Sequence, residues 1–540
     1  MKHIGVHIFM LLPVTALLAV VWVNPANLPV GELAGQWSWL GKACVLFAVC
    51  IFIMLLVGYK NKNITSVFYR VVVWSLILLG GSEAFYGLQQ IYGYTSSNHS
   101  LFALTGSFFN PGPYSGYLAM VFPLSLNEWL QLGKKSNRNY IEQVAFYLAG
   151  GVMLLIICVL PAGMSRSAWL AAVVSGVWVC GMHYSWGGKL RMAWQEHRKK
   201  AIAIATLGFI CLMIGGAALF YLKRDSASGR LFMWKITCQA ISKRPVVGYG
   251  IDGFATAYGR AQEDYFAEGD YSSQEELVAG SPEYAFNEYL QVIIEWGIGT
   301  FLMLLVFVSF CLWCGIKGDR ISVCGGVISL LVFAFSSYPM QLPAFVITFF
   351  LLLAACVIGN SRIGLAVFAF LIGLMGAGLW REDKSKECKE WANIKMLYNI
   401  GAYESASEGY QKLYPILKNR GTFLFEYGHS LHKLKKYDAS TSILKEAAVR
   451  NCDPMILNVI GKNFQQQKHY EMAEQFFIRS THRLPGRIYP YYLLAKLYAE
   501  CNMPEQMKKM AEIVLTKEPK VQSTAVKEMR EEMRKMMKQY

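Results

Sequence analysis

Two arginines beside apolar segments are the residues of this chain best suited to chemistry. Arg166 lies in the short polar turn 161–168, and Arg230 follows the Ser-Ala-Ser-Gly stretch 226–229. Serine-rich stretches favour helix N-termini, whose free N–H groups attract anions. The planar, always charged guanidinium group binds phosphate oxygens in pairs. The two arginines therefore predict a phosphate-binding site, although Arg166 could instead extend along an apolar surface with its charged end in water.

Two further polar segments interrupt the apolar sequence. Residues 106–117 contain Asn110 with several glycines and prolines, and residues 282–291 precede another apolar run. Irregular backbone at membrane depth is tolerated only where it is buried or lines a cavity. The first segment is therefore either a re-entrant turn or a substrate-lining loop. A dinucleotide site at 248–253 is excluded, because no strand precedes its glycines.

The composition shows which elements must position these residues. Of 540 residues, 54% are hydrophobic and 16% are charged, whereas soluble proteins carry about a quarter charged residues. Residues 381–540 hold 47 of the 88 charged side chains. We therefore predict a polytopic membrane domain over 1–380 and a soluble domain over 381–540. The net charge of +16 is typical of a protein with basic cytoplasmic loops near anionic membrane lipids, and no nucleic acid partner is expected.

Apolar runs of about 20 residues predict eleven membrane spans, with ten or twelve as alternatives because Glu83 and Glu128 interrupt two of the runs. They cover residues 4–23, 39–57, 67–88, 113–132, 144–161, 167–184, 201–222, 289–314, 321–338, 342–359 and 363–380. Lys and Arg are concentrated in alternate loops, which places the N-terminus in the cytoplasm. With an odd number of spans, the segment 223–288 and the domain 381–540 are expected on the periplasmic side.

The soluble domain repeats with a period of about 34 residues. Small residues recur at Ala406, Ser440 and Ala473, and tyrosines recur at 403, 437 and 470. Small residues at this period are typical of packed helix pairs. The pattern resembles tetratricopeptide repeats and predicts about four units over 387–520, followed by a charged capping helix. Such an α-solenoid either binds a protein partner or only stabilises the membrane domain.

Four ordered motifs resemble the O-antigen ligase/polymerase superfamily. They are TGSFFNPGPYSGYLAMVFPL, SRSAWLAA, SGRLFMWKITCQAISKRPVVGYGIDGF and AFNEYLQVIIEWGIGTFLMLL, within residues 100–315. The resemblance implies an all-α, GT-C-like glycosyltransferase of the inner membrane. It implies transfer of a glycan from an undecaprenyl-diphosphate carrier to an acceptor on the periplasmic face, without a nucleotide sugar, cofactor or required metal.

The resemblance also implies roles for individual residues. Arg166 and Arg230 match the arginines that bind the diphosphate leaving group. Family members commonly have a histidine before the Asn-Glu pair of the last motif, where this chain has Phe286. Another base, Glu288 or Glu283, could replace it, departure of the diphosphate could need little base, or the chain could be inactive. The candidate substrate-binding residues are Asn110, Tyr114, Arg224, Lys243, Arg244, Asn287 and Tyr289.

The sequence thus predicts an O-antigen ligase-like glycan transferase with catalytic residues Arg166, Arg230 and Glu288. The acceptor could be lipid A-core, a growing polysaccharide or a protein hydroxyl. A protein O-oligosaccharyltransferase or polysaccharide polymerase is the first alternative, and a non-catalytic scaffold of an envelope polysaccharide assembly is the second. The repeat domain is expected to recruit the acceptor or a protein partner.

Overall fold

The computed structural model describes residues 2–23, 28–29, 32–57, 64–196, 198–199, 202–203, 206, 224–359, 361–519 and 522–539. Its regular elements, over these residues, are all helices. The chain forms two compact units, which we call the membrane unit and the repeat unit. The membrane unit comprises Met1–Leu219, Phe286–Tyr289 and Leu302–Ser385, and the repeat unit comprises Phe220–Ala285, Leu290–Phe301 and Lys386–Tyr540.

The membrane unit is a bundle of apolar helices. Its helices are α1 (Lys2–Leu18), α2 (Ala34–Leu56), α3 (Ile64–Ile91), α4 (Pro111–Gly133), α5 (Tyr140–Val159), α6 (Arg166–His183), α7 (Trp186–Glu196), most of α11 (Glu288–Lys317), α12 (Ile321–Ala334), α13 (Pro343–Val357) and α14 (Arg362–Arg381). Helix α4 is central, because it packs against α3, α5, α6 and α12. Ser329 Oγ of α12 donates to Ala119 O of α4 at 2.7 Å. This buried hydrogen bond links the two helices.

Several of these helices have the length and composition of membrane spans. Within the described residues, five qualify: Ala34–Leu56, Ile64–Ile91, Tyr140–Gly163, Glu288–Lys317 and Arg362–Asn399. Helices α6 and α7 make a sixth if this pair, bent by 75°, is one span. The chain is therefore a multi-pass membrane protein. The total of eleven spans stays a prediction, and the predicted span 201–222 lies almost entirely outside the described residues.

The repeat unit begins with a loop segment, residues 224–285, that contains three helices. These are α8 (Arg224–Lys243), α9 (Phe254–Ala267) and α10 (Ser273–Val278). The segment also binds the backbone of α11 at a break in that helix. Gly297 has φ 80°, and a Cβ there would overlap the Val246 carbonyl. Tyr249 N donates to Ile294 O at 2.8 Å, and Ile298 N donates to Pro245 O at 2.9 Å.

The second part of the repeat unit is a series of antiparallel helix pairs. The pairs are α15 (Ser385–Asn399) with α16 (Tyr403–Leu417), α17 (Gly421–Lys433) with α18 (Tyr437–Ala448), α19 (Pro454–Gln466) with α20 (Tyr470–Arg483), and α21 (Tyr489–Glu500) with α22 (Pro504–Thr516), followed by α23 (Thr524–Gln539). Ala406, Ser440 and Ala473 are fully buried, as expected where paired helices touch. These pairs confirm the predicted helical repeats.

The loop segment and the helix pairs share one core. The buried residues Phe254 and Tyr258 of α9 belong to the same apolar cluster as Cys452 and Leu484 of the repeats. Gln262 Nε2 donates to Arg483 O at 2.5 Å. The segment predicted as a membrane-domain loop therefore folds against the repeats.

Candidate active site

A buried carboxylate organises the first polar segment in the membrane unit. Glu83 of α3 is 1% exposed and accepts hydrogen bonds from Ser107 N at 3.0 Å and Ser107 Oγ at 2.6 Å. Gln90, about two helical turns further along α3, accepts from the backbone N–H groups of Thr105 and Gly106 at 2.9 and 2.8 Å. Buried backbone groups without such partners would be costly. Glu83 and Gln90 therefore hold the irregular loop that leads into α4.

The candidate residues Asn110 and Tyr114 hold the start of α4. Asn110 is the N-cap, and its Oδ1 accepts from Gly112 N at 3.0 Å. Pro111 takes the first helical position, where its missing N–H costs nothing. Tyr114 is 1% exposed, and its hydroxyl donates to Glu83 O at 3.0 Å. Both residues thus have local structural partners, and Tyr114 does not face solvent.

The turn before Arg166 packs directly on the start of α4. The turn is a short 3₁₀ helix, Leu160–Gly163, and a Cβ on Gly163 would overlap Ser115 Oγ of α4. Arg166 is half-buried and opens α6 after the N-cap residue Ser165. The first two motifs, residues 105–124 and 165–172, therefore meet in the membrane unit. Their meeting point is a polar turn at the end of apolar helices.

Residues 286–289 of the last sequence motif also lie in the membrane unit. Asn287 and Glu288 are 5% and 6% exposed, and Glu288 Oε1 accepts from Met340 N at 2.8 Å. Tyr289 OH donates to Leu331 O at 2.8 Å. Glu288 thus fastens the first turn of α11 to the segment between α12 and α13, and Tyr289 fastens it to α12 itself.

Phe286 has an unusual backbone conformation for its type. Its φ is 48°, a left-handed value that is costly for a bulky side chain. Its ring packs edge-on against Tyr338 at 5.0 Å between centroids. Backbone strain of this kind tends to collect at functional sites. Histidine is among the residues that tolerate this region better, so the backbone suits the histidine that the resemblance places there.

The remaining candidates lie on α8 of the repeat unit or, for Arg244, directly after it. Arg230 is half-buried, whereas the side chain of Arg224 lies outside the described residues. Lys243 is exposed and pairs with Asp264 at 2.6 Å, and this hydrogen bond raises the pKa of Lys243. Arg244 lies over the Tyr249 ring at 5.2 Å. Lys243 and Arg244 therefore already have partners within the loop segment, which weakens the case for a role in substrate binding.

A second ion pair holds α8 against α10. Lys235 Nζ lies 2.6 Å from Glu275 Oε1 and 2.8 Å from Tyr265 OH. Burial favours the neutral carboxyl, but hydrogen bonds from Lys235, Ser272 and Tyr265 outweigh it and lower the pKa of Glu275 to about 2. Lys235 thus holds α8, the helix that carries Arg230, against α10.

Some residues that organise the site were not among the sequence candidates. Glu83 lies within the predicted span 67–88, and a carboxylate in an apolar helix is itself a sign of function. Glu263 of α9 binds Arg479 Nε and Arg483 Nη2 of α20, each at 2.6 Å. No spacing in the sequence connects Glu263 to α20.

Part of this arrangement is similar to a known protein family. Residues 151–305 match the O-antigen ligase family model. The matched range contains the Arg166 turn, α8 with Arg230, and residues 286–289. No curated protein matches the chain. A membrane ligase- or polymerase-type role is therefore supported for this part of the chain.

One solved structure with detectable similarity is the APC/C hetero-tetramer Cut9-Hcn1. The alignment covers 93% of this chain and 90% of that chain, with 11% sequence identity and a TM-score of 0.25. A TM-score this low carries no argument about fold or function. The helical-repeat assignment rests instead on the helix pairs of the repeat unit.

Proposed function

We propose that this protein transfers a glycan from an undecaprenyl-diphosphate carrier to an acceptor on the periplasmic face of the inner membrane. The observation that carries the proposal is the O-antigen ligase match, which includes both half-buried arginines and the strained 286–289 turn. The acceptor classes remain those of the sequence analysis: lipid A-core, a growing polysaccharide or a protein hydroxyl.

Arg166 and Arg230 are proposed to bind the diphosphate. Cleavage of the sugar–phosphate bond transfers negative charge to the departing diphosphate, and fixed cations stabilise that charge most where water is partly excluded. Both arginines are half-buried, so their guanidinium groups are partly shielded from solvent.

Glu288 is proposed to accept the proton of the acceptor hydroxyl. Glu288 is 6% exposed, and a carboxylate within hydrogen-bond reach of the acceptor hydroxyl can take its proton. Its hydrogen bond from Met340 N adds a structural task, which a glutamine could also perform. Glu288→Gln should therefore leave the unfolding midpoint unchanged while slowing turnover by about 10²–10⁴, the usual worth of a general base.

The test uses purified protein in nanodiscs with a labelled undecaprenyl-diphosphate oligosaccharide and candidate acceptors. Arg166→Ala and Arg230→Ala should each abolish transfer, and lysine replacements should restore only part of it. Arg260→Ala is the matched control, because Arg260 is an exposed arginine of the same loop segment. Near-normal transfer by both alanine variants would remove the diphosphate assignment.

A non-catalytic scaffold is the second candidate, and Phe286 is the observation that favours it. Phenylalanine cannot accept a proton, and it stands where the resemblance places a histidine. If wild type is inactive with every donor and acceptor while Phe286→His gains transfer, the scaffold function replaces the proposed one. Transfer by wild type at a rate that Glu288→Gln lowers would eliminate the scaffold.

A further inference from the structure

Two equivalent positions in successive repeats differ in the partners of their side chains. Asn458 of α19 corresponds to Tyr492 of α21, and Lys462 of α19 corresponds to Lys496 of α21. In both cases the two equivalent residues are 34 positions apart. Residues four apart lie on the same helix face. The first helices of these repeats, α19 and α21, are also direct neighbours. The two pairs therefore present the same position of two adjoining repeats.

In the last repeat, this position binds a carboxylate of the chain itself. Glu532 of the capping helix α23 accepts from Lys496 Nζ at 3.0 Å and from Tyr492 OH at 2.5 Å. Burial alone would favour the neutral carboxyl, but these hydrogen bonds lower the pKa of Glu532. An ammonium group and one neutral donor thus hold an acidic side chain that another helix presents.

In the preceding repeat, the equivalent side chains have no such partner. Lys462 is half-buried and makes no hydrogen bond or ion pair within the described part of the chain. Asn458 is 2% exposed, and its Oδ1 has no hydrogen-bond partner among those residues. Burying a cation and an amide without partners costs stability. Such a cost is typical of side chains kept for binding.

The surroundings of Lys462 are positively charged. Burial, together with the charge of Lys496, lowers the pKa of Lys462. On the neighbouring helix α17, burial and the charges of Lys433, His432 and Lys462 lower the pKa of His429 to about 4. His432 Nδ1 lies 2.6 Å from Asn463 Oδ1 of α19, so the two helices adjoin at this point. An anionic ligand would relieve this repulsion.

We propose that Asn458 and Lys462 bind an aspartate or glutamate side chain of a partner polypeptide. Lys462 supplies the ammonium group, as Lys496 does for Glu532. Rotation about the last side-chain bond of Asn458, a torsion with broad preferences, presents its amide to the carboxylate or to a peptide N–H. The expected partner is a polypeptide, because a helix-borne glutamate already occupies the equivalent site. The inference does not depend on glycan transfer.

The first test measures binding to the full-length protein in nanodiscs by fluorescence anisotropy. The probe is a fluorescein-labelled glutamate-rich peptide, and a glutamine-rich peptide of equal length is its control. Lys462→Gln should weaken binding at least about tenfold, the worth of one charge-assisted hydrogen bond, and Asn458→Ala should also weaken it. Lys412→Gln should bind as wild type, since Lys412 is exposed on a second helix, α16.

Three results would overturn the proposal. They are equal binding of both peptides, unchanged binding by Lys462→Gln, and selective binding of polygalacturonate with no binding of the glutamate peptide. A second measurement separates binding from folding. Lys462→Met should raise or maintain the thermal unfolding midpoint, because it removes a half-buried cation without a partner, while peptide binding falls. A lowered midpoint would show that Lys462 is structural and would also refute the proposal.

Discussion

The contact between Glu263 and α20 allows a quantitative prediction about the repeat unit. Glu263 accepts from the Arg483 side chain, which is 4% exposed, and from the Arg479 side chain, which is 45% exposed. Glu263→Gln leaves the Arg483 guanidinium buried without a counter-charge, and breaking a buried ion pair costs about 3–5 kcal/mol. Glutamine still accepts one hydrogen bond, so we expect a value near 3 kcal/mol.

Arg479→Ala provides the matched comparison. An ion pair with a partner this exposed is worth about 1 kcal/mol or less, because water screens the charge. The double variant Glu263→Leu/Arg483→Met is a second comparison. Replacing a buried ion pair by apolar residues of similar size is often neutral, so the double variant should be more stable than Glu263→Gln alone.

Hydrogen–deuterium exchange of the full-length protein measures these costs locally, since it reports the opening free energy of each segment. About 3 kcal/mol corresponds to exchange roughly 100-fold faster in the amides of α9 and α20. Exchange in α2 and α14 of the membrane unit should not change. Equal acceleration by Arg479→Ala and Glu263→Gln would refute the argument from burial, as would unchanged exchange in Glu263→Gln.

The remaining predictions concern the truncated chain, its orientation and its response to acid. Deleting residues 387–540 should accelerate exchange in α9 and abolish glycan transfer, because α9 loses its buried partners on α20; normal transfer by the truncated chain would contradict this. A reporter fused after Tyr540 should behave as periplasmic, and cytoplasmic activity would show that the spans are miscounted. His429, with its pKa lowered to about 4, stays neutral in the folded protein while the unfolded chain takes up a proton. Stability should therefore fall as pH decreases from about 6.5 to 4, and His429→Gln should reduce that fall in the unfolding midpoint; an identical fall would refute the assignment.

Periodicity in the sequence predicted the parts of the fold that depend on neighbouring residues. The small residues at a 34-residue period, such as Ala406 and Ala473, are buried where paired helices touch. The predicted span 113–132 corresponds to α4, Pro111–Gly133, because Asn110 and Pro111 form a local helix start. These features depend on a fixed sequence period or on adjacent residues, and the sequence therefore predicts them directly.

Features that depend on distant backbone were not predictable in this way. The break of α11 at Gly297 follows from hydrogen bonds between residues 245–250 and 294–298, and a glycine inside an apolar run does not indicate which backbone approaches it. In the candidate site, the sequence indicated Arg166, Arg230 and Asn287. It did not indicate that Glu288 accepts from Met340, 52 residues away.

The contact between the loop segment and the repeats connects the repeat helices to the helix that carries Arg230. Glu263 and Arg483 are 220 residues apart, and two charges at such a separation leave no period in a sequence. The contact gives α20 a role in holding α9, and α9 packs on α8, where Phe232 meets Tyr265 at 5.8 Å. Arg230 lies on α8, two residues before Phe232. A continuous series of packed helices thus runs from the repeats to the helix that carries Arg230. Loss of Glu263 should therefore accelerate exchange in α8 as well, although Glu263 lies on α9 and not on the helix that carries Arg230.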